Sequence, residues 1–500
     1  VQTHFVKEEK LKNVSQPVRM YQVLYTGSEV IPEEAPAVLV TENSIAVLPF
    51  ANMSNDPEQE YFSDGITEEI INILAQVQGM KVIGRTSSFA FKGKNIDLKL
   101  IGTQLNVSYI LEGSVRRSGN KLRITAQLIK ASDGFHLYSE KFDRELEDVF
   151  AIQDEIALAI LNAIKIKLFG PAKDAVLKKY TDNVEAYQLY LKALFYYNKY
   201  TPDAFMKAID YFNQAISLDP NYAIAYSGLS YCYLTSWQWN WLPAEKTIPM
   251  ALEAAHRSQV LDSEIAESHL AIGRMKLHYE LHIPEALVEY KIANEINPNN
   301  AECLQQYSMC EVLLGNTKVA MELAHKAQSL DPFSLMNIVF ANVSFWAAGN
   351  IEKTLENGKR LIELEPNFFF GNLWVGLAYM QLRKYKEALI EFKMAAQLNP
   401  GIYTLSNVGM AHAMLGEKSK ALEVIEEMKK FESVEIGGNN YLGSVYVSLG
   451  DFETAFQYYD RAIENHEGHI LWVKYLFRKM PEFLEDPRAK KLFEKLGLAD

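Results

Sequence analysis

Glu295-Ile296-Asn297-Pro298, Ser329-Leu330-Asp331-Pro332, Leu364-Glu365-Pro366 and Gln397-Leu398-Asn399-Pro400 are one ending written four times, each proline 34 residues after the last. An earlier copy, Ser217-Leu218-Asp219-Pro220, shares it. A period of 34 is that of a helix-turn-helix solenoid repeat, and the pattern runs from about Asn183 to Asn465. In the unit from Asn367 to Pro400, Gly376 and Ala388 fall where two antiparallel helices must touch closely. Val375, Tyr379, Phe392 and Ala395 sit at helical spacing around them, and Leu382-Arg383-Lys384-Tyr385 makes the turn. The second helix stops because a residue before proline is pushed out of the α region.

The small, aromatic and proline positions recur together and resemble the tetratricopeptide repeat (TPR). About eight units are expected, the others carrying Ala208 and Ala215; Ala251; Ala286 and Ala293; Ala320 and Ala327; Gly349; Gly409, Gly416 and Ala421; Gly443, Gly450, Ala455 and Ala462. The units beginning near Asn221 and Glu264 are longer, so their turns are enlarged. Trp237, Trp239 and Trp241 fall in one of these turns, either as a satellite cluster or as a contact patch. In TPR arrays the first helix of each unit lines a concave groove. By phase, that face carries Gln305, Met309 and Val312; Met336, Val339, Val343 and Trp346; Phe370, Leu373, Leu377 and Met380; Met410, Ala413 and Met414. It is apolar and methionine-rich, and methionine surfaces adapt to several partner shapes. The resemblance therefore implies a protein or peptide ligand, an amphipathic helix or an extended apolar segment. Packing of the same side chains against neighbouring helices, another domain or a second copy is the competing reading.

Five hundred residues exceed one compact core, so two or more domains are expected. A formal charge of −13 argues against nucleic-acid binding and against adhesion to anionic membranes. Three cysteines make no disulfide framework. Cys303 and Cys310, about 10 Å apart along one expected helix, lie beyond the roughly 7 Å reach of a bridge. A reducing, cytoplasmic setting follows. No stretch reaches the ~18 apolar residues of a membrane span, and the first residues do not read as a signal peptide.

Upstream of the repeats, Thr3 to Val6 and Pro17 to Val23 read as strand, turn, strand, and residues 26–43 as an acidic, proline-punctuated linker. From Ser44 to about Gly170 the order is βαβαβββα: a buried strand at Ser44 to Phe50, a helix from Ser63 to Gln78, a strand at Met80 to Gly84 and a helix from Asp97 to Asn106. Three strands around Tyr109 to Arg116, Leu122 to Leu128 and Phe135 to Glu140 follow, then a helix from Glu147 to Phe169. The chain is thus α+β and multidomain, a small α/β domain followed by an all-α solenoid, with residues 466–500 as a capping segment.

Ala46-Val47-Leu48-Pro49-Phe50-Ala51-Asn52-Met53-Ser54, Phe62-Ser63-Asp64-Gly65-Ile66-Thr67-Glu68-Glu69, Leu111-Glu112-Gly113-Ser114-Val115-Arg116-Arg117 and Phe150-Ala151-Ile152-Gln153-Asp154-Glu155-Ile156 resemble the TolB amino-terminal-like domain. In one bacterial family that domain joins a class III adenylate cyclase domain to TPR repeats. Lys10-Leu11-Lys12-Asn13-Val14-Ser15-Gln16-Pro17-Val18 is similar to the closing strand of that cyclase domain, with Asn13 where the family pattern has Gly. The ending Phe483-Leu484-Glu485-Asp486-Pro487-Arg488 also resembles that family. The resemblance implies a regulatory and scaffolding region, a dimer, and ATP and Mg at an upstream cyclase domain only. The cyclase's metal-binding aspartates precede the matched stretch, so no catalytic, cofactor or metal residue is carried onto this chain.

Other candidates are read from the residues alone. Gly84-Arg85-Thr86-Ser87-Ser88 could offer amides and a guanidinium to an anion, but a polar strand-to-loop exit is favoured. Arg116 and Arg117 read as solvated turn charges. His278 and His282, with Glu280 and Glu285 nearby, could hold a metal, though surface histidines are favoured there and at His466 and His469. Asp64, Glu68 and Glu69 read as helix capping. Two alternatives stay open: a small-ligand or nucleotide sensor or enzyme centred on the α/β domain, and a stand-alone TPR adaptor unrelated to cyclases.

Overall fold

The computed structural model describes residues 2–9, 18–24, 43–54, 56–166, 178–239, 241–432 and 438–498. Two compact units divide the chain, Val1–Val40 and Thr41–Asp500. In the first, β1 (Gln2–Glu9) and β2 (Val18–Leu24) pair antiparallel from Gln2 opposite Leu24 to Glu9 opposite Val18, with a register shift between Phe5 and Lys7. The expected linker lies almost wholly outside the described residues.

The second unit opens with a mixed sheet of β3 (Ser44–Val47), β4 (Ala51–Asn52), β5 (Lys81–Val82), β6 (Tyr109–Ser118), β7 (Lys121–Lys130) and β8 (His136–Glu145). The order is β5-β3-β6-β7-β8, with β4 also beside β6; β3 runs parallel to β5 and β6, and the last three strands are antiparallel. Helices α1 (Glu60–Ala75) and α4 (Val149–Ala163) cover one face, setting Ile66, Ile70, Ile152 and Ile156 against Val47, Leu111, Ile124 and Leu128. Alternation along β7 turns Leu122, Ile124, Ala126 and Leu128 inward. Helix α3 (Leu98–Leu105) covers the other face near β3, where Ile101 and Leu105 meet Ala46 and Ile110. Between them α2 (Arg85–Phe89) replaces the expected loop.

Eight antiparallel helix pairs follow among the described residues: α5 (Val184–Tyr197) with α6 (Pro202–Leu218), α7 (Ala223–Gln238) with α8 (Ala244–Leu261), α9 (Ala266–Met275) with α10 (Ile283–Ile296), and α11 (Ala301–Leu313) with α12 (Thr317–Leu330). The remainder are α13 (Leu335–Ala347) with α14 (Ile351–Leu364), α15 (Phe370–Gln381) with α16 (Tyr385–Leu398), α17 (Ile402–Met414) with α18 (Lys418–Glu432), and α19 (Gly438–Ser448) with α20 (Phe452–Glu464). The prolines act as read: Asp331 and Asn399, each before a proline, sit at φ −137°, ψ 70° and φ −142°, ψ 84°, outside the α region. The small positions are contact points. A Cβ at Gly376 would strike the Phe392 ring, and Gly273 and Gly443 stand in the same relation to Tyr290 and Tyr459. Both long units have altered turns, one around residues 239 and 241–243 and one a π-helical stretch at Lys276–Glu280 ending on Leu281 at φ 60°.

The sheet unit is docked on the array. At the α1–α5 crossing, a Cβ on Gly65 would lie 2.7 Å from Leu191. Asn299 Nδ2 donates to the Ala75 carbonyl at 2.9 Å, and Gln153 Nε2 donates to the Tyr187 hydroxyl at 2.7 Å.

Residues 466–498 do more than cap the last pair. Phe483, at the start of the tail's final helices, packs on Phe456 and Tyr459 of α20. The stretch before it turns back along the first helices of the middle units. His466 stacks on Tyr279 at 4.3 Å between centroids, and the Tyr475 hydroxyl donates to the Val312 carbonyl at 2.7 Å. Arg478 donates to the carbonyls of Trp346 and Ala347 at 2.6 and 2.8 Å. The solenoid's own tail therefore lies across its inner wall.

Candidate functional site

Between that tail and the inner wall is a cavity of about 530 Å³. Its wall includes Met309, Met336, Val339, Val343, Trp346, Phe370, Leu377 and Met410, all on the face read as concave. The other residues of that face lie elsewhere. Gln305 is buried and donates to Asn337, while Val312 and Leu373 are fully buried between helices. Met380 packs half-buried beside the tail, and Ala413 and Met414 are half-buried at the end of α17, off the cavity wall.

The end of α7 supplies Trp237, and the enlarged turn after it supplies Trp239 and Trp241. Trp239 and Trp241 stack at 6.4 Å, and Trp239 meets Phe370 edge-on at 6.2 Å. The tail contributes Glu467, His469 and Trp472, and units seven and eight contribute Asn407, Asn440, Tyr441 and Ser444. Sequence reasoning named the three tryptophans as a cluster or contact patch and His469 as a surface histidine. It passed over Glu467, Trp472, Asn407, Asn440, Tyr441 and Ser444, because only closure by the tail brings them to the same space. The one available signal was tryptophan: the chain has six, and Trp237, Trp239, Trp241, Trp346, Trp374 and Trp472 all line this cavity.

Charge is scarce there. Glu467 is the wall's carboxylate, and no Lys or Arg lines it among the described residues. Burial raises the pKa of Glu467, opposed by hydrogen bonds from the Asn440 and Asn439 amides and the Asn439 side chain. Burial pulls His278 down to about 4, so it is neutral at pH 7, and the surrounding wall shifts His469 in the same direction although that residue is exposed. His278 Nε2 donates to Gln306 Oε1 at 2.9 Å. His278 and His466 are half-buried against Gln306 and Tyr279, a correction to the expected surface positions, while His469 lines the cavity yet is exposed, and His282 is exposed. Among the described residues no group of three or more His, Cys, Asp and Glu is placed to hold a metal ion.

The sheet domain's candidates are absorbed into docking. Gly84 donates to the Leu330 carbonyl at 2.7 Å, and both the N–H and the hydroxyl of Ser87 donate to one Asp331 carboxylate oxygen, at 2.7 and 2.5 Å. The stretch expected to be a polar loop exit is thus a buried helix start, and the anion it receives is the chain's own. Arg117 is no solvated turn charge: it reaches Gln188 at 3.0 Å, whereas Arg116 is exposed. Nor do Asp64, Glu68 and Glu69 cap α1, which begins at Glu60. Asp64 pairs with Lys92 at 2.5 Å and Glu68 with Arg85 at 2.9 Å. Glu69 is buried, and burial with Glu68 beside it pushes its carboxyl up to about 8.

Residues 41–159 match the model of the HilA/YgeH-like transcriptional regulator second domain, and residues 440–465 match a tetratricopeptide repeat. A Rhizobium meliloti (strain 1021) protein named "Putative adenylate cyclase 3" is 38% identical over 274 residues, 53% of this chain and 46% of that protein. The chain thus spans about half the length of that curated relative. Similar solved structures include the human IFIT1 dimer with PPP-AAAA, at TM-score 0.39 and 15% identity over 70% of this chain and 88% of that one. Pseudomonas aeruginosa pilF has TM-score 0.33 and 15% identity over 46% and 96%. YrrB, titled a TPR protein with an unusual peptide-binding site, has TM-score 0.28 and 18% identity over 38% and 92%. No described helix is long and apolar enough to cross a membrane. The chain is a small mixed-sheet domain followed by a TPR-containing helical array, similar over half its length to a protein named as an adenylate cyclase.

Proposed function

We propose that this chain is the regulatory, protein-interaction region of a bacterial adenylate cyclase-like signalling protein working in the cytoplasm. Cyclic AMP would be formed by a class III catalytic domain elsewhere in the longer protein, which would hold the ATP and Mg. The observation that carries the partner-binding half of this reading is that the array's inner wall accommodates polypeptide. Tyr475 and Arg478 of the tail donate to the carbonyls of Val312, Trp346 and Ala347 at the ends of α11 and α13. A protein or peptide partner would use the same acceptors and the apolar face around Met336, Val339 and Val343. The similarity to the Rhizobium meliloti protein supports the cyclase half.

The sheet domain, TolB amino-terminal-like in its motifs, would convey partner binding. Its buried bonds to Leu330 and Asp331 make it move with the array. In a dimer that movement would change how two catalytic domains meet. The test is ATP turnover by the longer protein and by this chain. Cyclic AMP from the former and none from the latter is expected; turnover by this chain alone overturns the assignment.

A further inference from the structure

The cavity is walled on one side by Trp472, Val473 and Leu476 of the tail, so its occupant has the size of a small molecule, not of a chain segment. A volume of about 530 Å³ is within the range of drug-sized ligand sites. All six tryptophans of the chain line this one space. Two of them carry unpartnered donors: the indole N–H groups of Trp346 and Trp374 have no acceptor, although both residues are only 4% exposed. Their rings stand 6.3 Å apart, so the two donors belong to one neighbourhood. Asn440, 5% exposed, has an unpartnered side-chain oxygen on the same wall. Buried polar atoms without partners are uncommon in folded proteins and call for an explanation.

We propose that this lumen is a binding site for an uncharged, ring-bearing small molecule carrying carbonyl or hydroxyl oxygens. Flat aromatic walls suit ring systems. The indole donors supply hydrogen bonds to acceptor oxygens, and Asn440 accepts from a hydroxyl. Anions are disfavoured, because Glu467 is the wall's formal charge and no Lys or Arg lines it among the described residues. The site shares Met336, Val339 and Val343 with the proposed partner face but needs no cyclase activity, so saturable probe binding and cyclic AMP formation fail separately.

The tryptophans themselves report occupancy. Titrating the full chain with neutral N-phenylnaphthylamine should quench tryptophan emission saturably, with one site per chain. The sulfonated analogue anilinonaphthalene sulfonate should bind at least about tenfold more weakly. In competition, naphthol should displace the probe at a concentration about three- to tenfold lower than naphthalene, the worth of one hydrogen bond. Trp346→Phe with Trp374→Phe keeps the rings and removes both donors. It should retain the probe, lose the naphthol preference and keep the circular dichroism spectrum. If the double variant does not fold, single Trp374→Phe and the wild-type comparisons decide the matter. Unsaturable quenching, equal binding of the sulfonate, or a naphthol preference that is absent in the wild type or survives in the variants overturns the proposal.

Discussion

The carboxylate of Asp331, at the end of the fourth hairpin, accepts two hydrogen bonds from Ser87 of the sheet domain, at 2.7 Å from its N–H and 2.5 Å from its hydroxyl. Residues 244 positions apart thus make one buried contact. Asp331→Ala strands both donors away from water, costing about 1–3 kcal/mol. Denaturant unfolding should show the loss. Hydrogen exchange should speed up over 85–89 first, while the α15–α16 hairpin keeps its protection; uniform exchange would mean that Asp331 does not hold the two parts together.

Gly376 meets the Phe392 ring so closely that a Cβ has no room. Gly376→Leu should destabilise the chain by about 1–3 kcal/mol, the usual range for overpacking. An unchanged thermal midpoint would mean that this contact is not formed.

The tail is held by few polar bonds, with Tyr475 and Arg478 chief among them. Tyr475→Phe together with Arg478→Ala leaves the carbonyls of Val312, Trp346 and Ala347 without these donors. A loss of about 1–3 kcal/mol is expected, with faster exchange across 466–484. Protease resistance of those residues equal to wild type would contradict the described closure.

Glu69 sets a pH dependence between pH 4.5 and about 8. Its folded pKa of about 8 exceeds the ordinary 4.5, so between those values the folded chain holds a proton that the unfolded chain has lost. Stability from this group is full below pH 4.5, falls as pH rises to about 8, and is flat beyond. Glu69→Gln should flatten that slope and raise the denaturation midpoint at pH 8. His278 acts oppositely. A folded value of about 4 against 6.5 means that the unfolded chain takes up its proton first, so stability falls as pH drops from 6.5 to about 4. Midpoints measured across both windows, with His278→Asn as the second variant, check each sign.

The array was legible because each hairpin is specified locally. Pro332 and Pro400 end helices whatever surrounds them, and Ala388 and Gly376 mark contacts inside one unit. What escaped the sequence was long-range. Ser87 looks like a loop serine until Asp331 arrives, and His278 looks like a surface histidine until Gln306 and the tail's Gly468 close on it. The concave face was readable in phase, so Met309, Val339 and Trp346 fall on the cavity wall. Which first-helix residues stay free and which, like Val312, become anchors for the tail depends on where that tail lies.

Because Tyr475 and Arg478 fasten onto hairpins made much earlier, synthesis order matters for this protein. Roughly 150 residues separate the fourth hairpin from the end of the covering stretch, or roughly ten to thirty seconds at typical ribosomal speeds. Throughout that interval the tryptophan-rich interior faces solvent uncovered, a window in which a chaperone, or a premature stop, decides the fate of the nascent chain.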